Sequence, residues 1–302
     1  MHLTRARLAV LGSMLVLSAT MVDQSHAQFV NYDTFSNGFI DPNLWAGTST
    51  EGGFGAPSAE VIRAVENGQL RLALVSWGNN TSDTGNTVSR QGLQLRQTGT
   101  LGGAGSIIAF KVKVTVTDAL VQDCPANPGT EGAIRARAQI LGWFFNDGTS
   151  TGATDDTGNA IAGMQLTREA DGSNQIQGFF QTCTNANCST VVTHPGTAVP
   201  AFATTWSLNT PVVLKVIWDR TNGTFKFKVK NSLTQAVESH QISYAGIVTD
   251  AGSPSNGDFK AIRVHNNVKN CTAGRKQVAM DALFDNVAVQ RQPVACGFCD
   301  GL

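Results

Sequence analysis

Apolar and polar residues alternate with a period of two in one short run after another, and no helical period lasts beyond a turn or two. "QLRLALVSW" sets Leu70, Leu72 and Leu74 on one face, and "IIAFKVKVTV" sets Phe110, Val112, Val114 and Val116 against Lys111 and Lys113. "NAIAGMQLTRE" groups Ala162, Met164 and Leu166, and "NQIQGFFQT" groups Ile176, Gly178 and Phe180. "VVLKVIWDRTNGTFKFKVK" reads as a hairpin, its Asn222-Gly223 pair suited to a tight turn. "FKAIRVHNNV" and "MDALFDNVAV" supply closing strands. Roughly a dozen short strands with polar, Gly-rich turns predict an all-β fold of two packed antiparallel sheets, because one flat sheet would leave a face and its edges bare.

The run "IRARAQILGWFF" alternates more pointedly. Ala136, Ala138, Ile140 and Phe144 fall on one side, and Arg135, Arg137, Gln139 and Trp143 on the other. Two later strands share this polarity. Gln165, Thr167 and Glu169 oppose the Met164 set, and Gln175, Gln177, Phe179 and Gln181 oppose the Ile176 set. If the three strands are neighbours, one surface carries Arg135, Arg137, Gln139, Trp143, Gln165, Gln177, Phe179 and Gln181. Amides and guanidinium groups supply the donors and acceptors that sugar hydroxyls need, and an indole packs on their C–H faces. Two arginines bias such a face toward acidic sugars through forked bonds to carboxylates. A solvated sheet face of ordinary composition is the competing reading.

The N-terminus changes the setting. Arg5 and Arg7 precede the apolar run "LAVLGSMLVLSATM", and Ser25 and Ala27 stand where a signal peptidase reads, so residues 1–27 are expected to be a secretory signal. The run is short of the roughly 20 residues a spanning helix needs, and no membrane span is expected later in the chain. The chain carries 22 basic and 22 acidic side chains, and loss of Arg5, Arg7 and Asp23 leaves it close to neutral. No electrostatic case for nucleic acid arises. All six cysteines follow the signal, and in an oxidising compartment an even number favours disulfides. Cys183 and Cys188 enclose the loop "TNAN" as a local staple, and Cys124 with Cys271 is then a long-range pair by elimination. Cys296 and Cys299 in "CGFC" read as a structural bridge, no βαβ context being present for redox chemistry. The expected division is a signal over 1–27, a β-sandwich over 28–290 and a Cys-containing tail over 291–302.

Several stretches, in order, match a known pattern. "YDTFSNGFIDPNLWAG" followed by "VIRAVENGQLRLAL", the paired strands of "PVVLKVIWDRTNGTFKFKV" and the closing "MDALFDNVAV" resemble the concanavalin A-like lectin/glucanase jelly rolls. The resemblance covers most of Tyr32 to Gln290. It implies a two-sheet antiparallel jelly-roll sandwich whose concave face or rim loops often bind glycan, without implying a reaction. It also implies a structural calcium between the first and last strands, which points to Asp33 and Asp285, with no cofactor required. The family's hydrolases carry closely spaced acids on one strand, as E-x-D-x-x-E or a variant, and no such run exists here. Lyases of the fold use Arg and Gln to neutralise a uronate, with His and Tyr as base and acid. Arg135, Arg137 and Gln139 suit the first role, and His265, sharing a strand face with Arg263, is the histidine to keep. The expected function is therefore a secreted protein that binds extracellular or cell-wall polysaccharide without cleaving it. A lyase on an acidic polysaccharide, or a structural or adhesive envelope protein, is the alternative.

Overall fold

The computed structural model describes residues 28–49, 59–96, 107–128, 134–255, 257 and 259–292. The signal segment and the Cys296 and Cys299 pair lie outside these residues. Fifteen strands follow one another: β1 Val30–Asp33, β2 Trp45–Ser49, β3 Ala59–Glu66, β4 Gln69–Trp77, β5 Asn86–Leu95, β6 Ile107–Val121, β7 Arg135–Asn146, β8 Asn159–Glu169, β9 Asn174–Cys183, β10 Val191–Val192, β11 Val212–Asp219, β12 Thr224–Asn231, β13 Val237–Ser243, β14 Lys260–Lys269 and β15 Gln277–Arg291. They form two antiparallel sheets, the jelly-roll sandwich expected from the sequence. One has the order β13-β12-β11-β6-β15-β4-β3, with β1 also on β15, and the other the order β10-β9-β8-β7-β14-β5-β2. No helix of the described residues is long and apolar enough to cross a membrane.

The alternating runs meet between the sheets. Leu70, Leu72 and Leu74 of β4, Phe110, Val112, Val114 and Val116 of β6, and Phe225, Phe227 and Val229 of β12 pack from one side. Ala136, Ala138 and Ile140 of β7, Met164 and Leu166 of β8, and Ile176 and Phe180 of β9 pack from the other. A register shift between Trp143 and Phe145 lets two consecutive residues, Phe144 and Phe145, both enter the core while Trp143 stays on the outer face. Their rings join Phe180, Trp218, Phe225 and Tyr244, and the Trp218 indole N–H donates to the Tyr244 hydroxyl at 2.8 Å. The β11–β12 hairpin forms, but on a four-residue loop rather than a two-residue turn. Only Gly223 takes the left-handed conformation (φ 59°), and Asn222 is held by the Asp219 carboxylate.

Cys183 pairs with Cys188, as their spacing suggested, and Cys124 with Cys271, as elimination left them. In chain order, the Cys124–Cys271 bridge is the first and the Cys183–Cys188 bridge the second. The first bridge ties the loop after β6 to the loop after β14. The second closes the loop after β9.

Candidate functional site

The outer face of the β10–β2 sheet holds a cavity of about 620 Å3, within the range of roughly 300–1,000 Å3 common for small-ligand sites. Strands β7, β8 and β9 are neighbours, with Gln139 opposite Gln165 and Gln165 opposite Gln177. All eight residues singled out from the sequence, Arg135, Arg137, Gln139, Trp143, Gln165, Gln177, Phe179 and Gln181, line this one cavity. β14 lies on the other flank of β7 and adds Arg263 and His265, and β5 beyond it adds Arg90.

The two ends of the cavity differ chemically. Moving along β7 from Arg135 to Trp143, the neighbours change from cations and amides to apolar side chains. At the apolar end Leu141, Trp143, Ile161, Phe179 and Phe259 pack together, with the Trp143 and Phe259 ring centroids 4.8 Å apart. Gly163 permits this arrangement, since a Cβ there would meet the Phe179 ring at 2.3 Å. Asn187, Cys188 and Ser189 close the rim from the loop that the Cys183–Cys188 bridge fastens.

Across the middle runs a chain of hydrogen bonds with one direction. The Arg263 Nε–H donates to Gln139 Oε1 at 2.7 Å, and Gln139 Nε2 donates to Gln165 Oε1 at 2.6 Å. Gln165 Nε2 donates to Gln177 Oε1 at 2.8 Å, and Gln177 Nε2 to Gln175 Oε1 at 2.7 Å. A guanidinium can only donate, so Arg263 fixes which end of every amide is oxygen. Each link spends one donor and one acceptor per amide. One N–H and one oxygen lone pair on each remain for a ligand, the pairing a sugar hydroxyl uses.

The far end is cationic and poor in acids. Arg137 donates to Asn267 Oδ1 at 2.6 Å, and Arg263 to the Gln139 amide, so both rest on neutral acceptors. Glu169 approaches Arg135 only to 3.9 Å, and burial raises its carboxyl above the usual range despite the nearby arginines. Asp156, the one carboxylate among the described lining residues, accepts from the Asn159 amide. Burial, with Arg135 and Arg263 alongside, pushes the Arg137 guanidinium well down, and burial beside Arg90 brings Arg263 down to about 9. Burial and then the four arginines hold His265 well below the usual imidazole value, so it is neutral at pH 7.

That state of His265 has a consequence for folding. The folded protein refuses a proton that the unfolded chain accepts below about pH 6.5, so stability falls as pH drops from there. Below that pH the slope from this residue rises toward about 1.4 kcal/mol per pH unit, the limit for one proton. Urea unfolding of the protein and of His265→Gln below that pH checks it; the variant should show the shallower dependence by that amount, and parallel curves would contradict it.

The tyrosines and the other histidines of the described residues lie elsewhere. The Tyr32 hydroxyl is held by the carbonyls of Leu44 and Arg96, and Tyr244 is bound in the core by Trp218, so neither reaches the cavity. His194 bonds Thr182, and His240 pairs with Glu238. Asp33 accepts from the Phe35 N–H and the Trp45 indole N–H, both at 2.7 Å, and Asp285 pairs with Lys113 at 2.5 Å. Protein donors reach both carboxylates, and neither residue belongs to the one His/Cys/Asp/Glu cluster that the described residues form. The metal-like cluster among the described residues, Asp83 with Cys124 and Cys271, has both sulfurs in a disulfide and offers no thiolate.

No family model and no curated protein matches the chain. Similar solved structures include peanut lectin, at 11% identity, 89% of this chain, 100% of the lectin and a TM-score of 0.39. Winged bean acidic lectin, solved with methyl-α-D-galactose, has 9% identity, 88% and 100% coverage and a TM-score of 0.42. Scytalido-glutamic peptidase has 14% identity, 69% and 82% coverage and a TM-score of 0.39. The legume lectins have the concanavalin A-like jelly roll that the sequence resembles. At these identities and TM-scores no ligand or activity passes from these proteins to this chain.

Proposed function

We propose that this chain is a secreted carbohydrate-binding protein that holds extracellular or cell-wall polysaccharide in the cavity between β5 and β9 without cleaving it. The observation that carries the reading is the aromatic wall of Trp143 and Phe179 beside the oriented amides of Gln139, Gln165 and Gln177 in one cavity of ligand size. Apolar packing takes the C–H face of a sugar ring, and the amides take its hydroxyls. The two disulfides suit an oxidising compartment. A glycan array followed by titration calorimetry tests the reading. Trp143→Ala is expected to weaken binding about 10- to 100-fold, since a stacked indole contributes on the order of 1–3 kcal/mol. Unchanged binding by Trp143→Ala would place the ligand elsewhere.

His265 beside Arg137 favours one second reading, a lyase acting on an acidic polysaccharide. Absorbance of the unsaturated product on alginate, glucuronan and pectate separates the two. Product formation that His265→Gln abolishes would establish the lyase, and silence across the panel with retained binding would establish a lectin-like role.

A further inference from the structure

We infer that the end of the cavity floored by Arg137, Arg263 and His265 is an anion subsite that takes the oxyanion of an acidic sugar. This inference rests on the carbohydrate-binding reading above and names the class of glycan.

One row of residues carries it. In register across three adjacent strands stand His265 of β14, Arg137 of β7 and Thr167 of β8. Each holds a polar atom with no partner: both ring nitrogens of His265, the Nε of Arg137 and the Oγ1 of Thr167. Thr167 is fully buried. A buried polar group without a partner costs on the order of 1–3 kcal/mol, and two of the three residues, Arg137 and His265, line the cavity, so their unpartnered atoms point to a ligand there. The groups also say what the ligand offers. Arg137 Nε is donor only, the threonine hydroxyl has a proton to give, and a neutral imidazole has one N–H. A ligand that accepts from Arg137 and His265 together, beside two guanidinium charges, is an oxyanion.

Charge supports the same conclusion. Among the described residues neither Arg137 nor Arg263 has a carboxylate at ion-pair distance, and their partners are the neutral Asn267 and Gln139. Two guanidinium groups on neutral acceptors in a half-enclosed space keep most of their attraction for an anion, because little water screens it. The oriented amides begin at Arg263, so an acid group seated here places the ring of its sugar over Gln139 and Gln165 and the next ring toward Trp143.

Titration calorimetry on the full chain tests this. The probes are polygalacturonate, alginate and glucuronan, each beside its carboxyl-reduced counterpart, and a sulfated galactan beside its desulfated form. At least one acidic polymer is expected to bind about 30-fold or more tighter than its neutral counterpart, in line with charge-assisted hydrogen bonds. Arg137→Gln should remove that preference, bringing the affinities for the acidic and neutral members of the pair to within about 3-fold of each other. Preference for the uronate or for the sulfate pair identifies the source of the oxyanion. Equal binding of acidic and neutral members overturns the subsite and leaves the carbohydrate reading standing. No binding by any polymer, acidic or neutral, overturns both. The polymer comparison needs no variant, so a poorly folding Arg137→Gln does not blunt it.

Discussion

Replacing Cys124 and Cys271 together with alanine is expected to lower stability by about 5 kcal/mol and the melting temperature by roughly 10–20 °C. The bridge joins residues 147 apart in sequence, so it removes a large closure entropy from the unfolded chain. Both cysteines are fully buried, at the junction where Asp83 accepts from the N–H and hydroxyl of Thr272. The Cys183–Cys188 bridge spans a separation of only 5, and the same relation gives it about 2 kcal/mol. The two bridges should separate in function as well. The long one lies away from the cavity, so its alanine pair should bind glycan normally below the melting range. The short one fastens the loop that brings Asn187, Cys188 and Ser189 to the rim, so its alanine pair should lose affinity for modest thermal cost. Urea melts and glycan titration of both pairs check this, and a larger stability loss from the short bridge would contradict the closure account.

The cavity's β7–β9 half was legible because each of those strands carries a clean apolar face. Once Ala136, Met164 and Ile176 mark the inside, Arg137, Gln165 and Gln177 must lie outside. β5 shows no such contrast. Its inward positions include Ser89 and Gln91, and the Gln91 amide crosses to the carbonyls of Ile62 and Ala73 on the opposite sheet. A strand with polar residues on both faces has no readable period, and Arg90 stayed hidden for that reason. Phe259 and the 187–189 rim lie outside regular strands, where alternation says nothing. Arg263 and His265 were readable as sharing a face, but not as flanking β7, since strand order in a sandwich depends on long-range pairing that a local pattern does not encode. At Asp33 and Asp285, where the resemblance implies calcium, the Trp45 indole and the Lys113 ammonium reach the carboxylates from other strands, which is long-range pairing of the same kind.

Arg137→Gln is expected to make the free protein more stable, by about 1–2 kcal/mol or roughly 2–8 °C, while it removes preference for an acidic glycan. Stabilisation by deleting a buried hydrogen-bonded residue runs against the usual direction of core substitutions. The reason is the company Arg137 keeps. Its guanidinium is desolvated and repelled by Arg135 and Arg263, while Glu169 offsets only part of this. The Asn267 bond is the neutral contact in its favour, and a glutamine amide can donate to the same oxygen. Deleting the charge therefore relieves desolvation and repulsion without orphaning its neighbour. Strain held at a site and released by ligand has a second signature, because a bound oxyanion should stabilise the native protein far more than the variant at equal ligand concentration. Thermal melts of both proteins with and without the best acidic polymer measure the two effects together. A variant that melts lower than the parent without ligand would show that Arg137 is structural cement and that the crowding of cations is not a cost the fold bears for binding.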